Sequence, residues 1–488
     1  MCALAELMHD SGIIVSGSDR PEVFYTDSIL MELNIPYHES FEAKHIQQGL
    51  DLVIYSAAYS FETNPEMAEA QRLKLPILKY TDALGCYSLG FDSSGIAGVH
   101  GKTTTTAIAG SLIRGAGLPA QILVGSAVKG FNDRSTLNLG KKYFVAETCE
   151  YRRHFLSFHP RRIILTSVES DHQDYYPTYE SIRDAFMEYG RLLSAGTSDD
   201  AGTSGEASPG TPSEASPGEL IYCADDPGAC EVAAALEKEG RGIRFIPYGF
   251  TAAGSYQIRS YEVSDERAVM RIAGFPGDLK LRIPGRHEAL NAAAALALTS
   301  SLVRKEFGGG KNGSGGDGWN EERRENVRKA LEDFRGSKRR SEIIGEERGI
   351  LFMDDYGHHP TAINTTLAGL KEFYPKRRLI LSFMSHTYTR TASLLDEFAA
   401  SFEKADLVIL HKIYGSAREE YHGGVTGKTL FEKTNSLRNN VFYVDEPLEA
   451  ADMLKGILKA GDLFVTMGAG DNWKLGKDLY EYYRGTGR

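Results

Sequence analysis

A glycine loop followed by a lysine is the first stretch of this chain whose spacing points to chemistry. Gly98-Val99-His100-Gly101-Lys102-Thr103-Thr104 joins a short apolar run, Gly95-Ile96-Ala97, to a helical pattern over residues 107–113. A loop between a strand and a helix start presents backbone N–H groups to an anion. A lysine then meets the outer phosphates and a hydroxyl binds Mg²⁺. The strict phosphate-loop spacing asks for glycine where Ile96 stands, so the shorter Gly-x-x-Gly-Lys-Thr is what remains.

Other polar groups gather where strands end. Residues 143–146 read as a strand running into Glu147, with Glu150 close behind. Residues 162–166 read as another, followed by Glu169-Ser170-Asp171-His172. Glu147 and His172 both suit Mg²⁺ or its bound waters. His287 and Asn291 stand four apart, share one helical face, and suit the bracketing of an adenine ring. The run 334–340 clusters guanidinium groups, including Arg339 and Arg340, which suit phosphate charge. In the last third, Tyr356, His358, His386, Arg390 and Arg418 all follow strand ends. Open α/β sheets bind ligands there, so these groups are expected to line a cleft.

The elements that position these groups alternate strand and helix, which predicts an α/β fold with parallel sheets. At 488 residues the chain is long enough for about three domains. The expected division is 1–90, 91–336 and 337–488. The first unit is expected to have a helix over 2–9, a strand over 12–15, a helix over 23–33, strands over 51–55 and 75–79, and a helix opened by Asn64-Pro65-Glu66. A doubly wound unit usually opens with a strand and a glycine turn ahead of its first helix. That strand is expected to be missing here. In the last unit, a helix over 391–402 follows the strand over 378–383. Residues 194–218 lack large apolar groups and are expected to be a disordered insertion without chemistry, and the glycine-rich run 308–318 a second disordered insertion.

Composition narrows the classes. The net charge of -11, from 55 basic and 66 acidic residues, argues against a nucleic-acid binder. Five scattered cysteines indicate neither a disulfide framework nor a zinc site. No apolar run reaches transmembrane length and no signal peptide is legible, so the expected setting is cytoplasmic, without membrane insertion.

Taken together, the motifs resemble those of the muramyl peptide (Mur) ligases. The pieces are Ala3-Leu4-Ala5-Glu6-Leu7, Ser16-Gly17-Ser18-Asp19, the loop at 98–104 and Ala146-Glu147-Thr148-Cys149-Glu150-Tyr151. Glu169 to His172, Gly285 to Asn291, the run 354–361, Ala417-Arg418-Glu419-Glu420 and Gly468-Ala469-Gly470-Asp471 complete the set. The resemblance implies an N-terminal Rossmann-like domain for a UDP sugar, a central phosphate-loop ATPase and a C-terminal Rossmann-like domain for the amino acid. It implies ATP-dependent amide formation through an acyl phosphate in peptidoglycan synthesis, and hence a role in cell shape and division. The runs 354–361 and 417–420 are most like those of the member that joins L-alanine to UDP-N-acetylmuramate. A ligase attaching a recycled murein tripeptide, or an ATP-binding homologue without catalysis, are the alternatives; a homodimer stays open.

By this resemblance Gly98, Val99, His100, Gly101, Lys102, Thr103 and Thr104 cradle the triphosphate. Thr103, Glu147 and His172 hold the metal. His287 and Asn291 meet adenine, and Arg339 or Arg340 meets a phosphate. Tyr356, His358, His386 and Arg390 form the alanine site, with Arg390 on the carboxylate and His386 or His358 accepting the amine proton. Four positions depart from the family pattern: Val99 for threonine, Met384 and Ser385 for Gln-Pro ahead of His386, and Ser341 for an aromatic residue.

Overall fold

The computed structural model describes residues 1–22, 25–193, 217–309, 316–415, 419, 421 and 423–485. The insertion expected over 194–218 therefore lies outside the described residues except at its last two positions. The middle of 308–318 lies outside them as well, as does Arg418 with most of its motif.

A ten-stranded sheet forms the centre. Its order is Phe275–Leu281, Arg267–Ile272, Tyr256–Ser264, Arg244–Gly249, Glu219–Cys223, Arg162–Leu165, Asp92–Ala97, Tyr143–Glu147, Ala120–Val128 and Arg134–Asn138. The strands from Tyr256–Ser264 to Ala120–Val128 run parallel, and antiparallel neighbours extend both ends. The middle strands are apolar and buried, as a sheet covered on both faces requires. Asp92–Ala97 lies between two strands that come later in the chain. Such a switch in strand order opens a crevice beyond the strand's carboxyl end, and the glycine loop leaves from there.

Helices Lys102–Gly115 and Arg286–Phe307 cover one face together. Both are small-residue helices, rich in threonine and alanine, and almost every residue is buried where they meet the sheet. Small side chains permit this close layering; bulky ones would force the layers apart.

The C-terminal sheet has six strands: Glu342–Glu347, Ile350–Asp355, Asp462–Gly468, Arg378–Met384, Leu407–Leu410 and Val441–Tyr443. All are parallel except the antiparallel edge Glu342–Glu347. Helix Pro360–Phe373 starts with proline in its first turn and His359 as N-cap. The helix expected over 391–402 is instead two, Tyr388–Ser393 and Leu395–Ser401, because Leu394 between them leaves helical geometry at φ -123°, ψ 30°.

The N-terminal unit departs most from expectation. Helix Cys2–Asp10 forms and docks on the edge strand Arg134–Asn138 through Glu6, which contacts Arg134 and Thr136. The strand expected over 12–15 does not form. Ile14 is 100% exposed, and among the described residues no strand offers those backbone groups a ladder. The chain pairs one step later, Gly17–Ser18 with Tyr37–His38. Val53–Tyr55 pairs with Ile77–Lys79 separately, so the described strands make two parallel pairs and not one sheet. Helices Tyr25–Glu32 and Pro65–Arg72 match their expected places, the latter capped by Asn64.

Candidate active site

A cavity of about 1070 Å³ opens between the central and C-terminal sheets. The glycine loop forms one wall, and the turns after Ile350–Asp355 and Arg378–Met384 form the other. Of the residues singled out from sequence, Val99, His100, Gly101, Lys102, Thr103 and Thr104 line it. So do Glu147, His172, His287, Asn291 and Arg340, and, across the cleft, Tyr356, His358, His386 and Arg390. Gly98 and Arg339 do not line it.

The loop's glycines are required by geometry. Gly98 has φ 137° and Gly101 φ 79°, where side chains are strained. A Cβ on Gly98 would come within 2.0 Å of Thr166 Oγ1, and one on Gly101 within 2.6 Å of Asn291 Oδ1. Gly101 is the N-cap of the lysine helix, and no side chain caps its first turn. That turn's N–H groups are therefore presented to a ligand. The loop's earlier amides are not: Val99 N–H donates to Ser167 O at 3.1 Å, and His100 N–H to Ser167 Oγ at 2.9 Å. These two donors fix the loop to the strand end, so the amides left for a phosphate are those at the helix start.

Lys102 bends back over its own loop. Its ammonium donates to Gly98 O at 2.5 Å and Val99 O at 3.3 Å, and pairs with Glu150 Oε2 at 2.9 Å. Burial would lower the lysine's pKa, but Glu150, with Cys149 and Glu147, outweighs it, so the pKa is raised. Burial likewise acts to raise Glu150, and Lys102 outweighs it, so the carboxylate is held below its ordinary range. Both stay ionised. Thr103 Oγ1 donates to Glu147 Oε1 at 3.0 Å, and Gly125 N–H to Glu147 Oε2 at 2.7 Å. The hydroxyl and carboxylate expected to share a cation are thus already side by side. His172 donates from Nε2 to Glu150 Oε1 at 3.1 Å. Glu150 therefore joins the lysine to the histidine. Its Glu-x-x-Glu spacing from Glu147 was the sequence signal for that role, and sequence reasoning gave it none.

Asn291 faces the loop. Its Oδ1 accepts from Thr105 Oγ1 at 3.1 Å, and its Nδ2 donates to Glu288 Oε2 at 2.9 Å. His287 Nε2 lies 3.4 Å from Glu288 Oε1. Burial would depress this imidazole, but Glu288 prevails and its pKa is raised. Of the arginine pair, Arg339 is spent inside the C-terminal unit, on Asp354 at 2.9 Å and on the carbonyls of Gly468 and Gly470. Arg340 lies over the Tyr356 ring, 4.8 Å from its centroid, and is the member that reaches the cavity.

On the far wall, His358 and His386 meet edge to face at 5.8 Å. Burial, helped by Arg390, pushes His358 well below the ordinary imidazole value and His386 down to about 4. Both rings are neutral at pH 7. Ser385, where the family pattern has proline, bonds Thr391 at 2.6 Å and so ties the strand end to helix Tyr388–Ser393. Ser341 N–H donates to Asp355 Oδ2 at 2.7 Å, a bond an aromatic side chain there would not alter.

Arg390 is 5% exposed and crosses to the central unit, where Nε and an Nη donate to Asp171 Oδ1 at 2.9 and 2.7 Å. Its other Nη donates to His386 O at 2.7 Å. Burial acts to raise Asp171, but Arg390 overrides it and the carboxyl is lowered. The guanidinium fork expected to be open to a substrate carboxylate is therefore closed on Asp171. That residue was quoted from sequence only as part of a motif. Nothing local marks it, because its partner lies 219 positions away.

Known proteins agree with this architecture. A model described as Mur ligase family, catalytic domain, matches residues 1–92, and one described as Mur ligase, glutamate ligase domain, matches 339–470. A UDP-N-acetylmuramate–L-alanine ligase of Treponema pallidum is 48% identical over 485 residues, covering 99% of this chain and 94% of that protein. One of Borrelia garinii is 36% identical, covering 97% and 95%. The solved UDP-N-acetylmuramate-alanine ligase MurC of Thermotoga maritima superposes with TM-score 0.72 at 23% identity, over 100% of this chain and 97% of that one. The chain belongs to the Mur ligase family, with its N-terminal, central and C-terminal domains.

Proposed function

We propose that this chain joins the amine of L-alanine to the lactyl carboxylate of UDP-N-acetylmuramate at the expense of ATP, an early step of peptidoglycan synthesis. The observation that carries the reading is the single cavity that unites an uncapped phosphate-loop helix with two neutral imidazoles from another domain. The names of relatives that match along almost the whole chain support the same substrates. An ATP-consuming step of this kind belongs in the cytoplasm. No helix among the described residues is long and apolar enough to cross a membrane.

A carboxylate resists attack by an amine until one oxygen becomes part of a good leaving group. In the proposed reaction the lactyl carboxylate attacks the γ-phosphorus of ATP in line and ADP leaves, giving an acyl phosphate. Lys102 moves from Glu150 and its loop carbonyls onto the transferring phosphoryl oxygens, where its charge is matched. The triphosphate rests on the helix start at Gly101 to Thr104, with Arg340 at its edge. Thr103 and Glu147 would hold Mg²⁺, because their oxygens already face each other, and His172 would order one of its waters; the ion would supply charge neutralisation on the phosphates.

Alanine enters from the C-terminal side. Its ammonium must lose a proton before the nitrogen can attack, and a neutral imidazole, His386 or His358, accepts it. The amine then attacks the acyl carbon, phosphate departs and the amide remains. Arg390, paired with Asp171, positions this wall; for it to grip alanine's carboxylate it must exchange that partner or give up its bond to His386 O.

Phosphate release from ATP by the purified chain tests the reading. It should require both UDP-N-acetylmuramate and L-alanine. Turnover with D-glutamate or a murein tripeptide, and none with L-alanine, would overturn it.

A further inference from the structure

Apart from the groups expected at Mg²⁺, one metal-ligating cluster stands out among the described residues. His100 in the glycine loop, Glu169 beyond strand Arg162–Leu165, and His359 at the head of helix Pro360–Phe373 offer ligand atoms that all lie within 4.8 Å of one another. His100 Nε2 touches Glu169 Oε1, and His359 Nδ1 is 3.7 Å from that same oxygen. The two imidazole centroids are 5.2 Å apart. His359 is only 6% exposed, and its Nε2 has no hydrogen-bond partner among the described residues. Its Nδ1 accepts one long bond, 3.4 Å from Thr361 N–H. A buried imidazole with one idle nitrogen and one weakly used nitrogen is poorly satisfied by the protein alone.

We propose that His100, Glu169 and His359 form a site for a divalent transition ion of the zinc class, bridging the central and C-terminal domains. Two imidazoles and one carboxylate suit zinc, cobalt or nickel; Mg²⁺ takes oxygen ligands and would not choose this set. Supporting contacts are in place: Thr361 Oγ1 donates to Glu169 Oε2 at 3.1 Å, and Ser167 Oγ fixes the backbone of His100 at 2.9 Å. Three protein ligands leave a further position for water or an anion. Because His359 comes from the C-terminal domain and the others from the central one, occupancy holds the cleft closed.

The test uses the full chain, stripped of metal and supplied with excess Mg²⁺, without nucleotide or substrate, so its outcome is independent of the ligase reading. Zn²⁺ is titrated against a chromophoric chelator, and Co²⁺ is followed by its visible absorption. About one equivalent should bind, with a rise in Tm. His359→Asn keeps a helix-capping side chain but removes the imidazole. It should weaken Zn²⁺ about 10- to 100-fold and abolish the cobalt bands, whereas Glu147→Gln should leave both unchanged. No binding by the unaltered chain, equal affinity in His359→Asn, or loss with Glu147→Gln alone would overturn the proposal.

Discussion

The two walls of the cleft handle charge in opposite ways. The central wall keeps buried groups ionised: Lys102 is raised, Glu150 is lowered, and each is the other's partner. The C-terminal wall keeps its imidazoles neutral, through burial and the nearby Arg390. Each wall matches what it is proposed to receive. Phosphoryl transfer needs fixed positive charge, and the amine needs an uncharged proton acceptor. Arg390 and Asp171 separate the regimes, because their charges cancel across the domain boundary.

The largest expected effect comes from removing the central charge. Lys102→Ala should lower kcat by about 10³-fold or more. Steady-state phosphate release measures it, and a loss below tenfold would deny that wall its electrostatic task. Glu150→Gln comes next. It unlinks Lys102 from His172, and activity should drop about 10- to 100-fold with a higher requirement for Mg²⁺. An unchanged Mg²⁺ requirement would show that Glu150 serves packing alone.

Breaking the divider tests whether the walls depend on each other. Arg390→Met leaves Asp171 buried without a partner, which costs about 3–5 kcal/mol and should appear as a lower Tm. The KM for alanine should rise more than that for ATP. Adding Asp171→Asn should restore much of the Tm without restoring the KM. If the KM recovers too, Arg390 acts only through folding.

Of this arrangement, the central wall was legible in advance. Lys102, Thr103 and Glu147 follow strand ends at short spacing, and local sequence dictates where such groups lie. The divider was not legible, because Asp171 and Arg390 meet only when two domains close. Ser167, which takes the amides of Val99 and His100, is similarly remote. The N-terminal strand over 12–15 was misread because an apolar run reports strand propensity and says nothing about a neighbour to pair with. In the C-terminal unit the strand expected over 378–383 forms as Arg378–Met384, since a buried parallel strand reads as a continuous apolar run.

Two smaller effects sharpen the contrast. With His386 held at about 4, kcat/KM for alanine should show no imidazole inflection between pH 6 and 7. Such an inflection would mean that the wall is wetter than it is built. Asp354 is the outlier: burial, opposed by Arg339, pushes it from the ordinary 3.8 up to about 6. The folded state thus keeps a proton that the unfolded chain releases above about pH 4, so stability falls as pH rises through that window and levels off above about 6. The stability of Asp354→Asn relative to the unaltered chain should climb by up to about 3 kcal/mol between those limits, read by denaturant titration. A flat difference would contradict the raised value.

The most direct measurement follows oxygen. UDP-N-acetylmuramate labelled with ¹⁸O in its lactyl carboxylate is turned over with ATP and L-alanine, and the products are read by mass spectrometry. An acyl phosphate requires one label to appear in the released inorganic phosphate and none in the nucleotide. Label in AMP, or phosphate without label, would contradict the account.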